Sequence, residues 1–236
     1  MKPLVVAIDG PAGSGKSTTA RRVAERLGFL YLDTGAMYRA LTVKAIALGI
    51  DPSDEAAIAE LARTTSLEIG EESGAPSVLV DGKDITASLR SPEISRSVSY
   101  VARVPAARRR LVAIQRAIAE QRDIVIEGRD IGTVVFPDAP VKIYLDASLD
   151  ERARRRRLDL ERLGEPVDPE ELRKEIALRD EIDSDRSDSP LRRAEGAVVI
   201  DTTGLTIEEQ VGKVVDLVQE ALRDRSHPSG EGRRPA

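Results

Sequence analysis

No cysteine occurs anywhere in the 236 residues, so disulfides and thiolate metal sites are excluded. Tryptophan is absent too. Aromatics make up only 3% of the chain, so the core must be built mostly from Val, Leu, Ile and Ala. The four Tyr and two Phe are scattered and offer no platform for stacked bases. A basic excess is also lacking: the formal net charge is -5, the wrong sign for general nucleic-acid binding. The single histidine, His227, lies in a Pro/Gly-rich tail, and no His-centred active site is expected. No stretch approaches the ~20 apolar residues of a membrane span. The N-terminal apolar run breaks at Asp9-Gly10, too early for a secretion signal. The expectation is a cytoplasmic chain without membrane or nucleic-acid partners, working as a monomer.

Five short runs are predominantly apolar: Leu4 to Ile8, which has no polar alternation, Phe29 to Leu32, Ile124 to Ile126, Val141 to Leu145, which holds Lys142, and Ala197 to Ile200. Strands buried on both faces of a parallel sheet read this way. Helical patterns separate them, which predicts an α/β fold with a doubly wound, five-stranded parallel sheet. Ligands bind beyond the carboxyl ends of such strands, so the clusters at Asp9, Asp33, Glu127 and Asp146 are expected in one crevice. From Ser53 to Ser91 the pattern changes. Ser53 is expected to cap a short helix, and the Asp81-Gly82 turn joins short β pieces in a small β-rich insertion. Helices are expected from Pro92, from Pro105 to Gln121, from Asp150 to Leu163, from Pro169 to Ile182 and from Ile207 to Leu222. The composition after about Asp224 predicts disorder.

Gly10-Pro11-Ala12-Gly13-Ser14-Gly15-Lys16-Ser17 fits G-x-x-x-x-G-K-[ST] at every fixed position, after a predicted strand and at the start of a predicted helix. Glycines let backbone N–H groups converge on phosphate oxygens. Lys16 is expected to reach the β- and γ-phosphates, and the Ser17 hydroxyl a Mg²⁺ ion. The helix N-terminus adds its positive dipole. A guanine-reading Asn/Thr-Lys-x-Asp motif is missing, which disfavours a GTP switch.

Thr34-Gly35-Ala36-Met37-Tyr38-Arg39 follows the second strand, with Thr34 placed to cap the next helix and face the crevice. Arg129 and Asp130 stand between Gly128 and Gly132 at the third strand's end, where an unpaired charge would be costly. Arg129 suits a phosphate there, and Asp130 a base edge. Arg179, Asp183 and Arg186 are spaced to share one face if the helix persists. On spacing alone they equally fit a solvated salt-bridged face, as does the run Arg154 to Arg157.

Together, GPAGSGKST, LDTGAMYR, EGRDIGTVVFPDAPVKIYLDAS and RDEIDSDRSDSPL resemble the bacterial cytidylate kinases from about Val5 to Leu222. The GRDIGTVVFPDA stretch is the most specific part. The resemblance implies phosphorylation of CMP and dCMP by ATP with Mg²⁺, in pyrimidine nucleotide metabolism. It implies one P-loop kinase domain over 1–224, of three-layer architecture. Its core would comprise 1–60, 100–150 and 187–224. A monophosphate-binding insertion would span about 60–100 and a helical lid about 150–186, with a disordered tail at 225–236.

By the resemblance, ATP would lie on Gly10 to Ser17, on Thr18 and under Arg155 and Arg156. CMP would contact Thr34, Tyr38, Arg39, Ser99, Arg108, Arg129, Asp130, Arg179, Asp183 and Arg186. Lys16, Arg129, Arg179 and Arg186 are the candidate catalytic residues, and Ser17 the metal ligand. Thr34 stands where several family members have Ser, and Ile182 where some have a basic residue. Two alternatives stay open: a kinase for another acceptor such as UMP, AMP or shikimate, and a P-loop protein that uses ATP only as a switch.

Overall fold

The computed structural model describes residues 2–72, 75–162, 164, 167–186 and 188–226. Five strands form one parallel sheet: β1 (Val5–Asp9), β2 (Leu30–Asp33), β6 (Ile124–Gly128), β7 (Val141–Asp146) and β8 (Val198–Asp201), in the order β2-β6-β1-β7-β8. Register aligns their carboxyl ends, with Asp33 opposite Glu127, Asp9 opposite Gly128 and Asp146 opposite Asp201. Strand order reverses direction around β1, the kind of place where open α/β sheets bind ligands.

Both faces of the central strands β1 and β6 are covered, which is why their runs are apolar, whereas the edge strand β8 leaves Val198 and Val199 exposed. On one face Val6, Ile8, Val125, Ile143 and Leu145 pack against α1 (Lys16–Leu27) and α8 (Ile207–Ser226). On the other, Ala7, Leu32, Ile124 and Ile126 meet α2 (Thr34–Ala47), α3 (Glu55–Thr64), α4 (Pro92–Val101) and α5 (Pro105–Ala119). The result is three layers with aliphatic packing throughout.

The segment between α3 and α4 departs from the βα alternation, as expected. β3 (Leu67–Glu72), β4 (Ala75–Val80) and β5 (Lys83–Asp84) form a small antiparallel sheet, and Val78 and Val80 pack on Ala36 and Ala40 of α2. The chain turns at Asp81-Gly82, both at positive φ. α6 (Leu149–Arg162) and α7 (Pro169–Ser184) form a hairpin with a core of its own, Leu160, Leu172 and Ile176.

Three local expectations are corrected. Asp54 rather than Ser53 caps α3, its carboxylate accepting from Ala57 N; Ser53 instead donates to Asp51 in the preceding turn. Asp33 rather than Thr34 caps α2, accepting from Ala36 N at 3.0 Å. α8 runs on through Ser226, beyond the expected start of the tail; residues 227–236 of that tail, His227 among them, lie outside the described residues. No helix among the described residues is long and apolar enough to cross a membrane.

Candidate active site

The phosphate loop joins β1 to α1 at the middle of the sheet. Its first glycine has no substitute: a Cβ on Gly10, at φ +147, would lie 2.0 Å from the Leu145 carbonyl of β7. Pro11 and Ser14 are buried beneath the loop, and Ser17 and Thr18 are exposed on the first turn of α1. No side chain caps that helix, so its first N–H groups are left open for an anion.

Lys16 folds back over the loop, with Nζ donating to the Pro11 carbonyl at 2.6 Å and to Ser14 Oγ at 3.4 Å. Burial and then the charge of Arg129 push its pKa down to about 7 against the pull of Glu127, with Arg179 adding to the depression. The charges of Arg129, just after β6, and of Arg179 on α7 therefore both act on Lys16.

Two carboxylates that the sequence placed at strand ends without assigning them a role organise those ends. Asp9 is 3% exposed and accepts from the backbone N–H of Ile131 at 2.8 Å and of Gly132 at 2.7 Å. It thereby fastens a π-helical turn (Ile131–Val135) that follows Arg129-Asp130. Burial lifts its pKa to about 6 in spite of those two bonds. Glu127, also buried, accepts from Tyr31 Oη at 2.7 Å and lies against the Ser17 hydroxyl; burial, then Asp33, raises its pKa. The signal was present for both, as each ends an apolar strand.

Across from the loop, the predicted acceptor residues form two linked clusters. In the first, Arg108 is 2% exposed and pairs with Asp130, its guanidinium 5.6 Å from the centre of the buried Tyr38 ring. Burial raises the Asp130 pKa against Arg108, Arg186 and the hydroxyl of Ser189, a residue the motifs did not single out.

In the second cluster, Asp183 accepts from Arg129 Nε at 2.9 Å and also from Arg186. Burial opposes the charge of Asp183, but Arg129, Arg186 and Arg179 outweigh it and hold its pKa below the usual range. Arg179 is partly buried, and its Nε is shielded with no partner among the described residues; burial, then Arg129, drive its pKa down to about 10. Arg39 donates to Asp33 Oδ2 at 2.6 Å, while its Nε also lacks a partner.

Some predicted residues sit differently from expectation. The Thr34 hydroxyl donates to the Glu127 carbonyl at 2.7 Å and so ties α2 to β6. α7 stops at Ser184, so Arg186 does not share a helical face with Arg179; it returns to Asp183 from beyond the helix end. Ser99 is buried on α4, with no hydrogen bond to either cluster among the described residues.

Arg155 and Arg156 part company. Arg155 donates to the Thr202 carbonyl at 2.6 Å and to Thr202 Oγ1 at 3.1 Å, with Nη1 3.5 Å from where a Cβ on Gly15 would lie, beside the phosphate loop. Arg156 reaches the other way, to Ser95 Oγ of α4 at 3.4 Å, and its charge contributes to depressing the Arg179 pKa.

A parallel sheet whose first strand ends in a phosphate loop, facing a bank of partly unsatisfied guanidiniums, defines a P-loop phosphotransferase. A family model described as cytidylate kinase matches residues 6–220. A cytidylate kinase of Geobacillus kaustophilus (strain HTA426) is 51% identical over 217 residues, covering 92% of this chain and 97% of the relative. Another, of Desulfitobacterium hafniense (strain Y51), is 50% identical over 221 residues, covering 94% and 95%. The chain belongs to the cytidylate kinase family.

Proposed function

We propose that the enzyme transfers the γ-phosphoryl group of ATP to CMP and dCMP, giving CDP or dCDP and ADP. One observation carries the reading beyond family membership. Burial, then the charges of Arg129 and Arg179, depress Lys16 on the loop, so cations gather where two anionic ligands would neutralise them. ATP would lie on the loop amides, with Lys16 on its phosphates and Arg155 at its edge. The acceptor phosphate would take the open donors of Arg39 and Arg179 together with Arg129. Planar guanidinium forks match phosphate oxygens in pairs.

Phosphoryl transfer through a loose transition state needs positioning and charge neutralisation more than proton transfer. The attacking phosphate oxygen, with a second pKa of about 6, is already ionised at neutral pH, so no general base is required. Asp130, held by Arg108, would accept from a cytosine amino group, where the uracil carbonyl would be repelled.

The oxygen donors present suit Mg²⁺. The Ser17 hydroxyl and the Glu127 carboxylate lie together, and no group of three carboxylate or imidazole ligands occurs among the described residues. Mg²⁺ is usually held by one or two protein oxygens, with waters and substrate phosphates completing its shell. Ser17 would hold it there, and the ion would neutralise charge on the β- and γ-oxygens. The antiparallel sheet with α4 would serve as the monophosphate arm, and the α6–α7 hairpin as a lid that excludes water.

The test is ADP production with CMP, dCMP, UMP and AMP in turn, with and without Mg²⁺. CMP and dCMP should stimulate release strongly and only with the metal. Equal stimulation by AMP or UMP, or none by any monophosphate, would overturn the assignment.

A further inference from the structure

Arg152 leaves the first turn of α6 and is 7% exposed. Its Nε donates to the Ala147 carbonyl at 3.1 Å. Its Nη1 donates both to the Ala12 carbonyl of the phosphate loop, at 3.2 Å, and to the Asp180 carboxylate of α7. The backbones meet at the same place. A Cβ on Gly13, at φ +78, would lie 3.1 Å from Arg152 Cβ and 3.3 Å from its carbonyl oxygen. The loop thus rests directly on α6.

Asp180 adjoins Arg179 in sequence, and its charge also supports Arg129. Its Oδ1 is buried without a partner among the described residues, as is Arg179 Nε. One carboxylate therefore stands between the phosphate loop and the guanidiniums assigned to the acceptor phosphate. The core of Leu160, Leu172 and Ile176 binds α6 to α7, so seating α7 also seats α6.

We infer that Arg152 and Asp180 are positioning residues that couple the two nucleotide sites. A monophosphate that fixes Arg179 and Arg129 fixes Asp180. Asp180 fixes the Arg152 guanidinium, and Arg152 holds the Ala12 carbonyl so that the loop amides turn toward ATP. Binding free energies are reciprocal, so ATP strengthens monophosphate binding by the same factor. The inference rests on the acceptor assignment above.

Calorimetric titration tests it with Mg²⁺, CMP and a non-hydrolysable ATP analogue, each alone and in the presence of the other. The wild-type enzyme should show coupling of about 10-fold, within the usual range of roughly 5- to 150-fold. Asp180→Asn keeps the shape and removes the charge. It should bring the factor below about 2 while each ligand alone binds within about threefold of wild type. Arg152→Lys keeps the charge but not the branched donors, and should fall between; it also carries the test if Asp180→Asn does not fold. Wild-type coupling in these variants, or weaker binding of each ligand alone with the factor intact, overturns the inference, the latter marking a merely structural role. A wild-type enzyme that binds both ligands independently overturns it too. If the wild type binds the ATP analogue but not CMP, the acceptor assignment fails and the inference falls with it.

Discussion

Lys16 illustrates how far a single residue can be set against itself. A buried ammonium beside Arg129 and Arg179 is disfavoured, and its pKa of about 7 lies far below the ordinary lysine value. Because the folded pKa is the lower one, the charged form costs stability below pH 7, and that cost is relieved as pH rises from about 7 towards the unfolded value. A triphosphate reverses the local field. At pH 8, ATP binding is therefore expected to take up a proton, with an uptake approaching one. Calorimetry in two buffers of different ionisation enthalpy measures it, and Lys16→Met should abolish it. Lys16→Ala should lower kcat by about 10²–10³, the scale seen when one charge-stabilising donor is lost; steady-state kinetics check this. Asp130→Asn leaves the 2%-exposed Arg108 without its counter-ion. Breaking a buried pair costs about 3–5 kcal/mol, so a clear drop in thermal stability is expected. If Asp130 reads the base, the CMP:UMP ratio of kcat/KM should fall as well; an unchanged ratio would separate structure from specificity.

At the scale of elements, the acceptor side hangs on turns and helix ends. Asp9 pins the turn after β6 through two backbone N–H bonds, which sets where Arg129 and Asp130 point. Asp9→Asn removes one of those acceptors in a buried site, a loss of about 1–3 kcal/mol by denaturant titration. The KM for CMP should rise more than the KM for ATP, because the displaced turn carries acceptor residues. α5 also contributes bulk to the core that this turn shares. Leu111 is 1% exposed in the cluster beneath α2 to α5, and Leu111→Ala should cost about 2–5 kcal/mol by the same measurement. Kinetic constants measured well below the new midpoint should stay close to wild type.

Across the whole molecule, two aliphatic cores hold one sheet, and the small antiparallel sheet and the α6–α7 hairpin are attached around them. The α6–α7 hairpin, with its separate small core, touches both the phosphate loop through Arg152 and the arm bearing α4 through Arg156. On the proposed reading, such a body would register both nucleotides at once, as a kinase that must discriminate against water requires.

The strands were legible in the sequence because central strands covered on both faces, β1 and β6, must be apolar almost throughout, and the outer ones keep short apolar runs. The phosphate loop was legible because its chemistry is local, eight residues in a row. The family motifs likewise marked Arg129, Asp130, Arg179 and Asp183. What could not be read were bonds between residues far apart in the chain: Asp9 with Ile131 and Gly132, Tyr31 with Glu127, Arg152 with Ala12 and Asp180. Even the α2 cap fell to Asp33 because packing gave the Thr34 hydroxyl a better acceptor on β6. Sequence alone determined which groups the molecule has for handling phosphate. Only the tertiary structure decided which of those charges neutralise each other and which stay open for a ligand, because the energy of a buried charge depends on neighbours that folding brings together.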